Sequence, residues 1–275
     1  MSTKLLFPSF DERLPFLNDF ILQLVETYQA GKIKSWNTLD RTTKKFFTPE
    51  RTKYMEELVP GWKKMASYTN GITQTHITCV FLGVFMLPEF QSLSLDEQQL
   101  SKWIVLFHDL DKIHLPKKKD SMHGFRSGIL AAKILPSLGF SITDKYSNLF
   151  RTWSEFTRNA QIESHISPIP DNQKLPKILA GINQMFGENT PASLIVKTVL
   201  LHISLSIDPN YHTPAPLTDE EIKRFITLEL YPVLKVMMMG DNEGWSLFDS
   251  QVRKQQYNDA VESFDRVHRI ITSTK

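Results

Sequence analysis

Trp103-Ile104-Val105-Leu106-Phe107-His108-Asp109-Leu110-Asp111-Lys112 is the stretch around which the rest of the chain is read. Five apolar residues run without a break into a histidine and an aspartate, and a second acid and a lysine follow at once. An unbroken apolar run belongs in a core, where an unpaired carboxylate is expensive. A His-Asp pair at its end makes chemical sense when a cation neutralises the carboxylate. A divalent metal is the simplest such cation.

Just upstream, Ser94-Leu95-Asp96-Glu97-Gln98 supplies an N-cap and first-turn acids, so a helix is expected to carry the apolar run up to His108. His76 lies 32 residues before His108, inside the most apolar helix expected in the chain, residues 62–86 with a break near Asn70-Gly71. Cys79, Val80 and Gly83 fall one or two turns from His76 on the same face, so its imidazole should point into the core. Downstream, 112–121 is a lysine-rich loop, and helical periodicity returns over 123–138, opening on His123. Residues 144–164, 175–186 and 191–207 read as three more helices, the last stopped by Pro209. Leu217-Thr218-Asp219-Glu220-Glu221 opens a helix to about residue 238, and a final helix covers about 246–271. Toward the N-terminus, 11–29 is amphipathic, 32–48 is polar and weakly periodic, and Thr48-Pro49 opens a helix ending near Pro60. No alternating stretch exceeds four residues. The expected fold is all-α. It is a single helical domain over 1–275, with a core at about 50–215 and the helices at 11–29 and 217–271 packed on it.

Composition limits the function classes. With 32 basic and 30 acidic residues the net charge is +2, which does not suggest a dedicated nucleic-acid binder. The single cysteine, Cys79, excludes an internal disulfide framework and any Cys-x-x-Cys zinc site, so the expected compartment is cytoplasmic. The longest apolar run, 77–87, is too short to span a bilayer, and no membrane partner is expected.

Eight histidines occur, and the informative ones lie on apolar helical faces near carboxylates. His76 and His108-Asp109 fit two antiparallel helices, and Asp208 follows a third apolar helix. Two imidazoles and two carboxylates suit manganese, iron, cobalt, nickel, zinc or, less well, magnesium. Such a site leaves positions for water and a substrate oxygen. His202 is read as core or as a contact of a ligand, and His114, His212 and His268 as surface residues. Trp153, Phe156, Phe186 and Trp245 are scattered aromatics of the kind that usually fill cores.

His76, the apolar helix ending in His108-Asp109, Lys112 after it and a distal Asp in an all-helical chain resemble the HD-domain superfamily of metal-dependent phosphohydrolases. The resemblance covers about residues 72–210. It implies a helical bundle of the HD type with a C-terminal helical extension, and one or two divalent ions held by His76, His108, Asp109 and Asp208. Members with a second metal use further histidines, for which His123 and His165 are the candidates here. The Gly-Tyr-Pro signature of members that hydrolyse cyclic dinucleotides is absent. Where the family often has HDxGK, this chain has Asp111 in place of the glycine, a candidate general base or partner to a ligand. Lys112 is placed to meet charge on a phosphoryl oxygen. Arg126, one turn after His123, is a candidate phosphate clamp. Lys117-Lys118-Lys119 could draw in an anionic substrate.

The implied activity is hydrolysis of a nucleotide or other small phosphorylated metabolite, monoester or diester, by a metal-activated water. Two alternatives stay open: an HD-type di-iron oxygenase, which needs His123, His165 and Asp208 all to be ligands, and a non-catalytic helical binding or regulatory module. The segment after residue 216 could make homodimer contacts or cover the site.

Overall fold

The computed structural model describes residues 6–66, 72–114, 119–207, 209 and 212–273. Fifteen α-helices and one pair of two-residue strands make up nearly all their regular structure, in an all-α single domain. At the N-terminus, α1 (Phe10–Arg13) and α2 (Pro15–Gln29) replace one expected helix. Pro15 disfavours helical backbone at the residue before it, and Leu14 sits at φ −133°, ψ 52°. α3 (Trp36–Phe46) forms where periodicity was weak: Ser35 caps the Thr38 amide, and Leu39 and Thr43 are buried. α4 (Pro49–Leu58) begins on its Thr48 cap, and α5 (Trp62–Ala66) follows.

The centre of the molecule is built from helices that are buried on all sides over most of their length, and apolar residues dominate those stretches. α6 (Ile72–Met86) is buried from Thr73 to Phe85. α7 (Pro88–Gln91) leads to α8 (Leu95–Phe107), opened by a reciprocal capping box between Ser94 and Glu97 and buried from Gln99 onward. α9 (His123–Leu138) stops at Gly139, whose φ of 97° only glycine adopts readily. α10 (Tyr146–Arg158) is shorter than the expected 144–164, because β1 (Gln161–Ile162) turns back to pair antiparallel with β2 (Ile169–Pro170). α11 (Leu175–Phe186) precedes α12 (Pro191–Leu201), which is buried from Ala192 to its end and stops short of the expected residue 207.

The C-terminal third contributes to the core itself. The expected helix over 217–238 divides into α13 (Asp219–Phe225) and α14 (Tyr231–Ser246), with Pro232 in the first turn of the second. α14 packs along α6 with backbones in close approach. A Cβ on Gly240 would overlap Val84 Cγ2, and one on Gly244 would lie 2.8 Å from Val80 Cγ2. α15 (Ser250–Thr272) closes the fold against α13 and α14. Among the described residues no helix is long and apolar enough to cross a membrane.

Candidate metal centre

Five helices bring six polar side chains to one buried point. His76 comes from the middle of α6, His108 from the C-cap of α8 with Asp109 directly after it, and His123 from the first position of α9. His202 is the C-cap of α12, and Asp241 lies in the middle of α14. The His123–His202 approach depends on Gly124, where a Cβ would stand 3.0 Å from the Leu200 carbonyl oxygen.

Asp109 is at the centre of this group and has no solvent exposure. Its Oδ2 faces His76 Nε2 at 3.6 Å and His108 Nε2 at 3.7 Å. Its Oδ1 faces His123 Nε2 at 3.2 Å and His202 Nε2 at 3.9 Å. Asp241 Oδ1 stands 2.8 Å from His76 Nε2, and His123 Nε2 stands 3.1 Å from His202 Nε2. Two trios result, His76–His108–Asp241 and Asp109–His123–His202, and within each the donor atoms lie within 4.8 Å of one another.

Three of the imidazoles are oriented in the same way. His108 Nδ1 donates to Val105 O at 2.7 Å, His123 Nδ1 to Asp120 O at 2.5 Å, and His202 Nδ1 to Val199 O at 2.7 Å. A carbonyl oxygen only accepts, so each Nδ1 carries the proton. Each neutral ring therefore directs the Nε2 lone pair at the cluster. A backbone carbonyl holding the far nitrogen of a histidine is the usual support of a metal ligand.

The electrostatics favour a cation. Burial drives the His108 imidazole down to about 4 and that of His123 to about 3, and lowers His202 too, so these rings stay neutral near neutral pH. Burial alone would raise Asp109. Lys112, whose Nζ is 2.6 Å from Oδ2, and the histidines outweigh it and hold the carboxyl well below the usual range. Asp241 is lowered as well, with the His76 ring opposing the effect of burial. His108 Nε2, Asp109 Oδ1 and Asp241 Oδ1 are buried without a well-formed hydrogen bond. Orphaned acceptors and imidazole lone pairs converging at one point fit a borderline divalent ion, and all six residues could hold one.

A cavity of about 660 Å³ opens onto this cluster. Lys112 and Lys119 line it, and Trp245 stacks on His76 with ring centroids 4.4 Å apart. Trp245 was expected in the core but is 56% exposed.

The sequence-derived candidates divide. His76, His108, Asp109 and His123 converge. His165 is exposed, in the connection between β1 and β2, and takes no part in either trio. Asp208 lies outside the described residues, as do Lys117 and Lys118, and the distal carboxylate in the cluster is Asp241. Lys112 reaches both Asp109 and the cavity. Asp111 and Arg126 are not on the cavity wall. Asp111 pairs with Lys64 at 2.7 Å, and its amide donates to Ser127 Oγ. Arg126 donates to the Asp111 carbonyl and to the Asp120 carboxylate, so it braces the loop that ends at His123.

His202 and Asp241, which the sequence did not mark as ligands, stand in the two candidate trios. Helix α12 ends at Leu201 rather than continuing, which turns His202 inward at a helix end. Asp241 sits between Gly240 and Gly244, a spacing that reads as a helix stop but here marks close helix packing. Comparisons with protein-family models, curated proteins and solved structures gave no match.

Proposed function

We propose that the chain is a metal-dependent phosphohydrolase of the HD type, acting on a small phosphorylated molecule. The observation that supports this most strongly is the carboxylate of Asp109, flanked by one imidazole pair on each oxygen and by a second carboxylate, Asp241, beside the first pair. In this reading His76, His108, Asp109 and Asp241 hold one ion, and Asp109, His123 and His202 a second. When bound, such ions supply positive charge to a phosphoryl oxygen and make a water acidic enough to act as nucleophile near neutral pH.

The protein's own groups do the rest. The carbonyls of Val105, Asp120 and Val199 keep three rings aimed inward before any substrate arrives, so little reorganisation is needed. Lys112 keeps Asp109 ionised and adds positive charge at the cavity wall, where Lys119 also stands. Arg126 braces the loop that leads to His123, and the Asp111 carboxylate pairs with Lys64, so neither is assigned to substrate.

The test is hydrolysis of p-nitrophenyl phosphate and its bis ester by manganese-loaded protein, with metal content measured alongside. His108→Ala should lose both turnover and metal. If the variant keeps both, the reading fails. Wild-type protein that binds no divalent ion would favour a non-catalytic helical module.

The second reading, a di-iron oxygenase, is left without His165, which is exposed away from the cluster, and would need the Asp109–His123–His202 trio to hold iron. Iron in the purified protein together with substrate-dependent oxygen consumption would support it. Active, iron-free protein would rule it out.

A further inference from the structure

We propose that the cavity beside the ligand cluster receives an apolar group, so that the substrate is an amphiphile: a phosphate-bearing head joined to an alkyl, prenyl or aryl body. The inference rests on the phosphohydrolase reading for the identity of the head. The body is read from the walls alone.

At about 660 Å³ the cavity lies within the roughly 300–1,000 Å³ span of small-molecule sites and is far larger than a phosphate needs. Its two ends differ. The ligand cluster and the ammonium groups of Lys112 and Lys119 mark one end as the place for an anion. The rest is walled mainly by Ile72, Ile113, Ile203, Leu205, Ile207 and Met238, with Trp245 beside them. Several of these, Ile72, Ile113, Ile203 and Ile207, keep part of their surface uncovered by the fold.

Beside the apolar side chains the wall carries fewer polar ones, Thr73, His114, Thr213, Asn242 and Gln256, with Asp120 already held by Arg126. The Thr213 hydroxyl already donates to the Leu205 carbonyl at 3.2 Å. Asn242 Nδ2 is buried without a hydrogen-bond partner and offers a donor. A base edge and a ribose bring several donors and acceptors, and each one buried unpaired costs binding. An alkyl or aryl group has nothing to pair, and it gains affinity with every methylene removed from water.

Binding of non-hydrolysable alkylphosphonates tests this without requiring turnover. Methyl-, butyl-, hexyl- and octylphosphonate, phenylphosphonate and, in its non-hydrolysable phosphonate form, AMP would be titrated calorimetrically into full-length, manganese-loaded protein. The expected result is a Kd that falls about three- to fourfold per added methylene, with octylphosphonate binding more tightly than AMP. In Ile207→Asn, checked for folding by circular dichroism, the dependence on chain length should flatten. Affinity independent of chain length, or AMP binding more tightly than octylphosphonate, would overturn the proposal. Hydrolysis of octyl phosphate is followed separately. Length-dependent binding without turnover would uphold the apolar receptor and count against the phosphohydrolase reading. Turnover with length-independent binding would do the reverse.

Discussion

Asp109 carries the local energetics of the site. It is fully buried and ionised, and Lys112 is the cation in direct contact with it. Removing one partner of a buried pair leaves a charge that the interior does not solvate. Lys112→Met should therefore lower the stability of metal-free protein by roughly 3 kcal/mol, and by less once a metal is bound to Asp109. Denaturant melts with and without chelator would measure the difference. Asp241 and Asp111 make a sharper contrast, since both are carboxylates close to the motif. Asp241→Asn should weaken manganese binding by more than about 100-fold, beyond what loss of a supporting partner costs. Asp111→Asn, in a residue tied to Lys64 and the Ser127 hydroxyl, should leave metal affinity nearly unchanged. Calorimetric titration of the two variants decides this. Equal losses would mean that Asp241 is not a ligand.

At the scale of elements, the site depends on how closely α6 and α14 approach. Gly240 lies against Val84, so Gly240→Ala should destabilise the protein by about 1–3 kcal/mol through forced displacement of the helices. The same change at an unconstrained helical site would stabilise it by about 0.5–1 kcal/mol. The sign of the change in the denaturation midpoint is therefore diagnostic. The same helix shows what the sequence could and could not reveal. The route from the Ser94 cap through Trp103–Phe107 to His108 was legible, because caps and unbroken apolar runs are local signals. His76 on its apolar face was legible for the same reason. Asp241 was not, because glycine at 240 and 244 signals a helix end locally and close packing only once α6 is beside it. His202 was missed because the apolar pattern of α12 continues past the point where the helix stops. His165 and Arg126 were overvalued by position: one is exposed in a turn, and the other holds a loop together.

In the whole molecule, the C-terminal third cannot be trimmed from the site. Val233, Leu234 and Met237 of α14 are fully buried, and Asp241 comes from the same helix. A chain ending at residue 216 should lose cooperative folding altogether, which thermal circular dichroism would reveal. A metal held by the six clustered residues would link five helices distant in sequence, so metal and fold should be coupled. Manganese at about 100 times its Kd should stabilise the intact protein by about 2.7 kcal/mol, and a chelator should reverse the gain. The most direct test of the account is the metal content of purified full-length protein after exhaustive dialysis, compared with that of Asp109→Ala. One or two divalent ions per wild-type chain, and essentially none in the variant, are expected. Equal metal in the two proteins, or none in either after manganese loading, would contradict the account.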